Sequence, residues 1–346
     1  MDKKKLITSL VFIIIVGAVI ISLTVSKKSY AVGTTLVDTI KALNKGSSWS
    51  AGDSGVYYTN NHEYRYIGAE VNNYVKFNND LYRIIGVFDS NSHGVTNTEL
   101  VKLIRARSLG GYSWGIYNTD NSAGTYSGYA NDWTGKATKS KANLNVLFNE
   151  YFYNKTDTSS IYGNCEDWTY YYSDNDYKIK DCSSILAYGI DSSLRGYIET
   201  TTWYLYGSGT SQSKQNWYLC ERGGNSCTSS GSGTGDTSVT SKIGLMYLSD
   251  YLYASGYYSS TDTSTQGQSY FGNKNWLCKD WEWTLTPYAS NTSNVWYVNN
   301  GAANRAISSD PYRSRPSFYL KSTVYVTGGN GSFDNPYTIA CNNCTI

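Results

Sequence analysis

The sequence predicts an α+β fold, in which short antiparallel strands are joined by long loops and by two or three short helices. Short runs rich in Val, Ile and Tyr are separated by Asn or Gly, which is the pattern of strands and turns. Stretches rich in Gly, Ser and Thr are too long to be tight turns. One run places five apolar side chains on a single helical face: Leu144, Leu147, Phe148, Tyr151 and Phe152.

The first element is an apolar run at residues 6–25, and Lys3, Lys4 and Lys5 precede it. A helix of this length spans about 30 Å, which matches the hydrocarbon core of a bilayer. Small residues before a possible cut after Ala31 are also typical of a signal-peptidase site. We therefore expect residues 1–31 to be either a signal peptide or a signal anchor that holds the chain in the membrane. Both place the rest of the chain outside the cytoplasm.

The residues after the apolar run predict a short stalk and one extracellular domain. Residues 34–43 carry apolar side chains at nearly helical spacing, and residues 47–55 form a linker of small residues. We expect a stalk helix and linker over 32–56, a single α+β domain over 57–340 and a tail that contains Cys over 341–346.

Within the domain, Asn78-Asn79-Asp80 predicts a hairpin turn between two strands. A predicted strand over 242–247 leads into a second short helix, which we expect to begin at Ser249 or Asp250. The other predicted strands cover 64–67, 73–77, 81–88, 100–105, 281–285, 295–298, 316–320 and 323–326. The predicted long loops cover 208–214, 228–241 and 256–272.

All seven cysteines follow the apolar run, so an oxidising compartment suits every one of them. We interpret six of them as three local disulfides: Cys165 with Cys182, Cys220 with Cys227, and Cys341 with Cys344. Cys278 lies outside these three pairs. Zinc is the weaker alternative, because the single CxxC has no second CxxC and no His nearby.

The composition excludes several classes of protein. A nucleic-acid binder would carry a basic stretch, and a disordered tail would carry few aromatics, whereas this chain has a net charge of +2 and 35 Tyr. Two His leave little material for a His-based site. Tyr exceeds Phe, of which there are 8, so we expect many rings to keep a hydroxyl near water. Tyr, Ser, Gly and Asn together are the composition of binding loops, which favours a recognition surface.

Two catalytic motifs are matched only in part. Residues 111–115 read Gly-Tyr-Ser-Trp-Gly, as in a nucleophile elbow, but no helix pattern follows and both His precede Ser113. Residues 130–136 approach a P-loop, but they lack its first Gly and the hydroxyl that binds magnesium. These motifs therefore predict neither a hydrolase nor an ATPase.

Carboxylates leave two further alternatives open. Glycoside hydrolysis needs two carboxyl groups at roughly 5–10 Å, and the candidates are Glu166, Asp167, Asp280 and Glu282. Calcium is the one candidate cofactor, because it prefers oxygen ligands and the chain offers them at Asp174, Asp176 and Asp181. An EF-hand is excluded because Lys178 occupies a ligand position.

Two sets of motifs resemble an exported domain of unassigned function. The first set includes Tyr64-Arg-Tyr-Ile-Gly-Ala69 and Leu81-Tyr-Arg-Ile-Ile-Gly-Val-Phe88, and the second includes Tyr197-Ile-Glu-Thr-Thr-Thr-Trp203 and Arg315-Pro-Ser-Phe-Tyr-Leu-Lys-Ser322. Together they resemble a domain of surface and pilin-like proteins of gut Firmicutes, over about residues 57–339. The resemblance implies a protein that is secreted from, or anchored on the surface of, a Gram-positive-type bacterium.

A more distant resemblance is to the C-type-lectin-like fold of relatives of the formylglycine-generating enzyme. In those proteins a Trp-Glu-Trp-Thr strand precedes a variable polar stretch and a closing strand with Arg. Trp281-Glu-Trp-Thr284, residues 291–314 and Arg315 occur here in that order. The catalytic Cys pair has no counterpart, so the resemblance implies binding rather than oxidase activity.

We therefore predict a surface-displayed, adhesin-like binding protein that recognises a glycan or a protein and not a nucleic acid. Glu282 and Arg315 are expected to be buried structural partners. Self-association in a pilus-like or wall-associated assembly is the first alternative, and an extracellular carbohydrate-active enzyme is the second. The candidate ligand-binding residues are Trp296, Tyr297, Asn299, Asn300, Asn304 and Tyr312.

Overall fold

The computed structural model is a mixed α+β structure, mostly of sheet with a few short helices, which confirms the predicted α+β class. It describes residues 33–115, 117–118, 128–129, 131–135, 142–155, 187–224, 227–229, 236–257, 274–278, 280–299, 302–308 and 310–345. The predicted membrane or signal segment at 6–25 and the possible cut after Ala31 lie outside these residues. Among the described residues, no helix has the length and apolar character needed to cross a membrane.

The strands are short and are numbered in chain order. They are β1 (Gly55–Tyr58), β2 (Tyr64–Ile67), β3 (Tyr74–Phe77), β4 (Asp80–Phe88), β5 (Leu100–Arg105), β6 (Gly111–Ser113), β7 (Tyr117–Asn118), β8 (Gly128–Tyr129), β9 (Thr201–Tyr204), β10 (Tyr206–Gly207), β11 (Thr228–Ser229), β12 (Ser238–Ser241), β13 (Glu282–Pro287), β14 (Asn294–Asn299), β15 (Ala302–Ile307), β16 (Pro311–Arg313), β17 (Ser317–Leu320), β18 (Val324–Gly328) and β19 (Tyr337–Cys341).

The described residues contain six short α-helices, more than the two or three predicted, because a helix of one turn leaves no periodic pattern in the sequence. They are α1 (Leu36–Lys41), α2 (Ser90–His93), α3 (Asn143–Val146), α4 (Ser192–Arg195), α5 (Lys214–Glu221) and α6 (Leu248–Tyr253). A π-helical segment, Leu147–Tyr153, continues directly from α3.

The larger sheet of the described chain brings together strands from the two ends of the sequence. Its order is β1-β2-β4-β3-β19-β18, with β5 beside β4 and β17 beside β5. The predicted turn between β3 and β4 is confirmed, because Phe77 pairs with Asp80 and leaves a loop of two residues. Both of those residues, Asn78 and Asn79, have positive φ angles of 54° and 57°. Such a loop requires left-handed backbone, which Asn adopts more readily than most residues.

The smaller five-stranded sheet has the order β15-β14-β13-β16-β6. Its strands β14 and β15 form an antiparallel hairpin across residues 294–307. Strand β16 lies parallel to β13, with Glu282 opposite Arg313. Much of the predicted variable stretch at 291–314 is thus paired in a sheet.

The segment over 242–247 was predicted as a strand, and that prediction is wrong. Gly244 and Ser317 exchange two backbone hydrogen bonds of 2.9 Å, which ties the segment to β17 of the larger sheet. Two residues later, the Met246 carbonyl accepts the Leu285 N–H of β13 at 2.8 Å. Because the segment passes from one sheet to the other, it cannot continue a ladder with either.

Helix α1 lies in the expected place, but it packs on the body instead of forming a free stalk. Leu36 and Ile40 are fully buried, and the Val326 N–H donates to the Thr34 carbonyl at 3.0 Å. Further along, Trp49 is buried against Tyr57. The apolar face of this segment is therefore part of the domain core.

Both predicted helices of the body are present. The five apolar residues of the first helical face are all buried in α3 and the π-helical segment, which confirms that face. The second helix begins at Leu248, slightly before the predicted start. Tyr247 is its N-cap, and the Asp250 carboxylate accepts the Tyr247 N–H at 3.1 Å. Asp250 therefore contributes to the helix start from inside the first turn.

Tyrosine contributes to the core of the described chain as well as to its surface. Thirteen of the described tyrosines are buried, whereas others, such as Tyr188 and Tyr257, are exposed. Some of the buried hydroxyls find partners inside the protein: Tyr247 donates to the Tyr204 carbonyl at 3.0 Å, and Tyr253 donates to Gln215 at 2.8 Å. A buried hydroxyl is tolerated where such a partner exists.

Candidate ligand-binding face

The smaller sheet places aromatic side chains together on one of its faces. Trp283 in β13 is directly opposite Tyr297 in β14, and Tyr297 is opposite Asn304 in β15. Trp281 lies two residues before Trp283 and therefore extends from the same face of the chain. Tyr312 reaches this face from β16, on the other side of β13. We call the side chains of Trp281, Trp283, Tyr297 and Tyr312 the aromatic face.

The rings of the aromatic face form one continuous stack. Tyr297 and Tyr312 are stacked with 4.4 Å between ring centroids, and Trp281 stacks on Tyr297 at 5.5 Å with an angle of 15° between the ring planes. Trp283 lies edge-on to Tyr312 at 4.7 Å. Offset-stacked and edge-on pairs at these separations are favourable, so each ring is held by its neighbours.

Exposure distinguishes Trp281 from its neighbours in the stack. Trp283 and Tyr297 are buried and Tyr312 is half-buried, whereas Trp281 is 47% exposed. All other tryptophans in the part of the chain that the structure describes are buried. The stack therefore presents one large apolar ring to solvent on a fixed support.

Polar residues flank Trp281 in the chain and on the neighbouring strands. The Asp280 carboxylate forms an ion pair with the Arg313 guanidinium, and both side chains are partly exposed, at 29% and 26%. The Asp280 carboxylate also accepts the Trp281 N–H at 3.0 Å, and the Trp281 carbonyl accepts the Arg313 N–H at 3.0 Å. Asn304 is exposed one strand beyond Tyr297. Arg313 is opposite Glu282 in the parallel pair, so its side chain extends from the other face of the sheet than the Trp281 ring.

Three of the predicted binding residues are brought to this face, namely Tyr297, Asn304 and Tyr312. Asn299 lies in the same hairpin, where its side-chain oxygen accepts the Ala302 N–H at 2.8 Å, so it stabilises the turn. Asn300 lies outside the described residues.

Trp296 requires a correction, because it lies on the opposite face of β14 from Tyr297. It is buried, its indole N–H donates to the Ser208 carbonyl at 3.0 Å, and its ring packs edge-on against Trp217 at 5.2 Å. Consecutive residues of a strand point to opposite faces of the sheet, so Trp296 and Tyr297 cannot share one binding surface.

Trp281 is the residue that the sequence interpretation missed. Trp281 and Trp283 have the spacing of two residues that places both side chains on one face of a strand. The sequence assigned them to a predicted strand, but that spacing does not indicate which ring is covered. Trp281 precedes the first residue of β13, where the neighbouring strands no longer cover it.

The Glu282 and Arg315 side chains form the predicted buried pair. The Arg315 guanidinium contacts the Glu282 carboxylate at 2.6 Å and donates to the Leu277 carbonyl at 2.8 Å. The Tyr251 hydroxyl donates to the same carboxylate at 2.7 Å. Burial raises the pKa of Tyr251, and the Glu282 carboxylate adds to that rise, so Tyr251 stays a donor. The Tyr251 hydrogen bond to Glu282 joins helix α6 to β13.

The alternative of a carbohydrate-active enzyme gains little from the described carboxylates. Asp280 and Glu282 are each held by a different arginine, in the Asp280–Arg313 and Glu282–Arg315 pairs. The other two candidates, Glu166 and Asp167, lie outside the described residues.

The largest group of buried charges lies away from the aromatic face and connects β2, β5 and α6. The Asp250 carboxylate contacts the Arg65 guanidinium at 2.7 Å and the Lys102 ammonium at 2.7 Å. Arg65 also contacts Glu63 at 2.6 Å. Although burial opposes ionisation of Asp250, Lys102 and Arg65 hold the pKa of its carboxyl well below the usual range. Because these groups are fully buried and face one another, we interpret them as a structural network.

Glu221 extends this network from helix α5. It is fully buried, and burial raises its pKa to about 7. Its carboxylate accepts the Thr286 hydroxyl at 2.6 Å and the Ser249 N–H at 3.2 Å. These contacts join α5 to β13 and α6.

Two of the three predicted disulfides lie in the described chain, and both are present. Cys220 and Cys227 are bonded with 5.2 Å between their Cα atoms, and Cys341 and Cys344 with 5.7 Å. Cys165 and Cys182 lie outside the described residues. Cys278 is buried, and its thiol donates to the Asn299 carbonyl at 2.9 Å.

No group of three or more His, Cys, Asp or Glu that could hold a metal occurs among the described residues. The residues considered for calcium, Asp174, Asp176 and Asp181, lie outside them. Comparison of the chain with models of known protein families, with curated proteins and with solved structures finds no match.

Proposed function

We propose that this chain is an extracellular, surface-displayed binding protein that acts like an adhesin. Its ligand is a glycan or a protein outside the cell, and the aromatic face with Asn304 is the recognition surface. A membrane or signal segment at residues 6–25 exports the body and can also anchor it.

The observation that carries this proposal is the exposure of Trp281. Leaving a large apolar ring in water forgoes the roughly 1.5–3 kcal/mol that burying a large apolar side chain provides. The stack of Tyr297 and Tyr312 nevertheless holds the Trp281 ring at the surface. Rigid aromatic rings with adjacent polar groups are typical anchors of binding surfaces.

Two further observations support the location and the finer fold. The Cys220–Cys227 and Cys341–Cys344 disulfides are consistent with an oxidising compartment. We also propose that the body is C-type-lectin-like. In support, β13 is followed by the β14–β15 hairpin and by Arg315, which returns to pair with Glu282.

The test is adhesion of cells that display the full chain. Trp281→Ala combined with Tyr312→Ala is expected to reduce attachment to a mucin-coated surface at least tenfold. The matched control is Phe333→Ala, because Phe333 is an exposed aromatic (60%) in the loop between β18 and β19 of the other sheet. Equal attachment of the double variant and the control, both at normal surface levels, would refute the proposed recognition surface.

A second candidate function is an assembly subunit, and the edge of the smaller sheet favours it. Strand β15 is an edge strand of that sheet in the described chain, and Ile307 at its end is 46% exposed. Open edges pair readily with other strands. If this function is correct, purified full-length protein forms filaments that Ile307→Lys abolishes. A monomer at high concentration would argue against it.

A further inference from the structure

We propose that the Cys341–Cys344 disulfide is a site of thiol–disulfide exchange with a small thiol from solution. In this step the thiolate of the small molecule attacks the Cys344 sulfur and forms a mixed disulfide there. The bond between the two cysteine sulfurs breaks, and its electron pair leaves with Cys341 as a thiolate. The site lies at the end of β19 in the larger sheet, so it is separate from the recognition surface proposed above.

Accessibility distinguishes this bridge from the other disulfide of the described chain. Cys341 and Cys344 are both half-buried, and the two Asn residues between them are exposed. In the other bridge Cys227 is half-buried, but Cys220 is 1% exposed. A thiol that attacked Cys227 would therefore release a buried thiolate at Cys220, which is costly. Exposed disulfides exchange more readily than buried ones, so exchange is favoured at Cys341–Cys344.

Backbone contacts hold the two cysteines independently of the bond between their sulfurs. Cys341 pairs with β18 as the last residue of β19. The Cys344 carbonyl packs against Gly196, where there is no room for a side chain, and the Thr345 carbonyl accepts the Lys321 ammonium at 3.3 Å. The two sulfurs therefore stay close to each other when the bridge opens. This proximity favours closure of the bridge once the small thiol leaves.

A hydroxyl beside the bridge selects the sulfur that leaves. The Thr323 Oγ1 atom lies 3.4 Å from the Cys341 Sγ and 3.8 Å from the Cys344 Sγ. A hydrogen bond to a thiolate is charge-assisted and is stronger than one to a neutral sulfur. The nearer sulfur gains more from this donor as negative charge develops on it. Cys341 is therefore the leaving thiolate, and Cys344 is the sulfur that is attacked.

The experiment uses the purified full chain in detergent, and the probe is reduced glutathione at pH 8. After a short reaction, iodoacetamide alkylates the free thiols, and peptide mapping by mass spectrometry locates each adduct. Glutathione is expected on Cys344 and the alkyl group on Cys341 of the same peptide. The Cys220–Cys227 bridge is expected to open at least tenfold more slowly.

Variants of Thr323 test the role of the hydroxyl. Thr323→Val is expected to slow the opening at least threefold, whereas Thr323→Ser keeps the rate within twofold of wild type. The matched control is Thr327→Val, because Thr327 is also exposed but its hydroxyl donates to Thr338 at 2.9 Å. This control is expected to open at the wild-type rate. Near-UV circular dichroism shows whether each variant is folded.

Three results would overturn the inference. The first is opening of the two disulfides at equal rates, and the second is opening that requires urea. The third is glutathione found mainly on Cys341, with the alkyl group on Cys344. A folded Thr323→Val protein that opens as fast as wild type would show that the hydroxyl does not select the leaving sulfur.

Discussion

At the scale of single residues, two ion pairs on neighbouring positions have very different surroundings. The Glu282–Arg315 pair is buried and shares the Tyr251 hydroxyl, whereas the Asp280–Arg313 pair is partly exposed. Removing one partner of a buried pair leaves a charge in an environment of low polarity. Water compensates for the same loss near the surface. A carboxylate paired with Arg is therefore buried in one place and partly exposed to water in the other.

This contrast gives a prediction on stability. Glu282→Ala is expected to lower the free energy of unfolding by about 3–5 kcal/mol, because it leaves Arg315 buried without its carboxylate. Asp280→Ala is the matched control and is expected to cost about 0–1 kcal/mol. Urea denaturation followed by tryptophan fluorescence measures both. Similar losses for the two variants would contradict the assignment of Glu282 as the structural partner.

At the scale of elements, the hairpin between β3 and β4 shows how a local sequence fixes a turn. Asn78 and Asn79 both have positive φ. The Asn78 side chain also binds the backbone of residues 189–191, which are distant in sequence. Its amide donates to the Gly189 carbonyl at 3.1 Å, and its oxygen accepts the Asp191 N–H at 2.9 Å. Asn79 is exposed. Its side chain can therefore be changed to test the backbone alone.

Asn79→Gly is expected to keep or raise the free energy of unfolding, by up to about 1 kcal/mol, because Asn-Gly is the preferred pair in this type of turn. Asn79→Val is expected to lower it by about 1–2 kcal/mol, because a β-branched residue is strained in left-handed backbone. Thermal unfolding of the two variants beside wild type measures the difference. If Val is tolerated as well as Gly, the positive φ at this position is not required in solution.

At the scale of the whole molecule, buried charges hold together segments that are far apart in sequence. Asp250 contacts Arg65 and Lys102, and Glu221 contacts Thr286 and the backbone of Ser249. The network therefore joins the larger sheet, two helices and the smaller sheet. The pKa of Asp250 is lowered in the folded protein. Its contribution to the free energy of unfolding is therefore present at pH values above the usual pKa range of Asp and is lost in strong acid.

The contribution of Glu221 to stability depends on pH in the opposite direction, because burial raises its pKa in the folded protein from 4.5 to about 7. Between these two values the folded state holds a proton that the unfolded state has released. The free energy of unfolding is therefore expected to fall as pH rises from about 5 to 7, by at most on the order of 3 kcal/mol, and to level off above. The groups that face Glu221 are Arg222, Asp250, Thr286 and Ser249.

Glu221→Gln is expected to remove this decline, because Gln does not titrate and its oxygen can still accept from Thr286 and Ser249. Urea denaturation of both proteins at pH 5, 6, 7 and 8 measures the slope. A decline of equal size in the variant would show that another group causes it.

The sequence by itself determined the features that depend on neighbouring residues. The turn at Asn78 and Asn79, the buried helical face from Leu144 to Phe152 and the Cys220–Cys227 disulfide are governed by short-range geometry and periodicity. These features were therefore readable without a structure. The α+β class followed from the same local patterns.

Only the tertiary structure decided which side chains meet and which remain in water. Trp281, Trp283 and Trp296 look equivalent in the sequence, but one is exposed, one supports it, and one is buried on the other side of the sheet. The pairing of Asp250 with Arg65 and Lys102 joins three distant segments, and no local pattern indicates it. Strand order and register set these contacts, because adjacent strands of a sheet need not be adjacent in the chain.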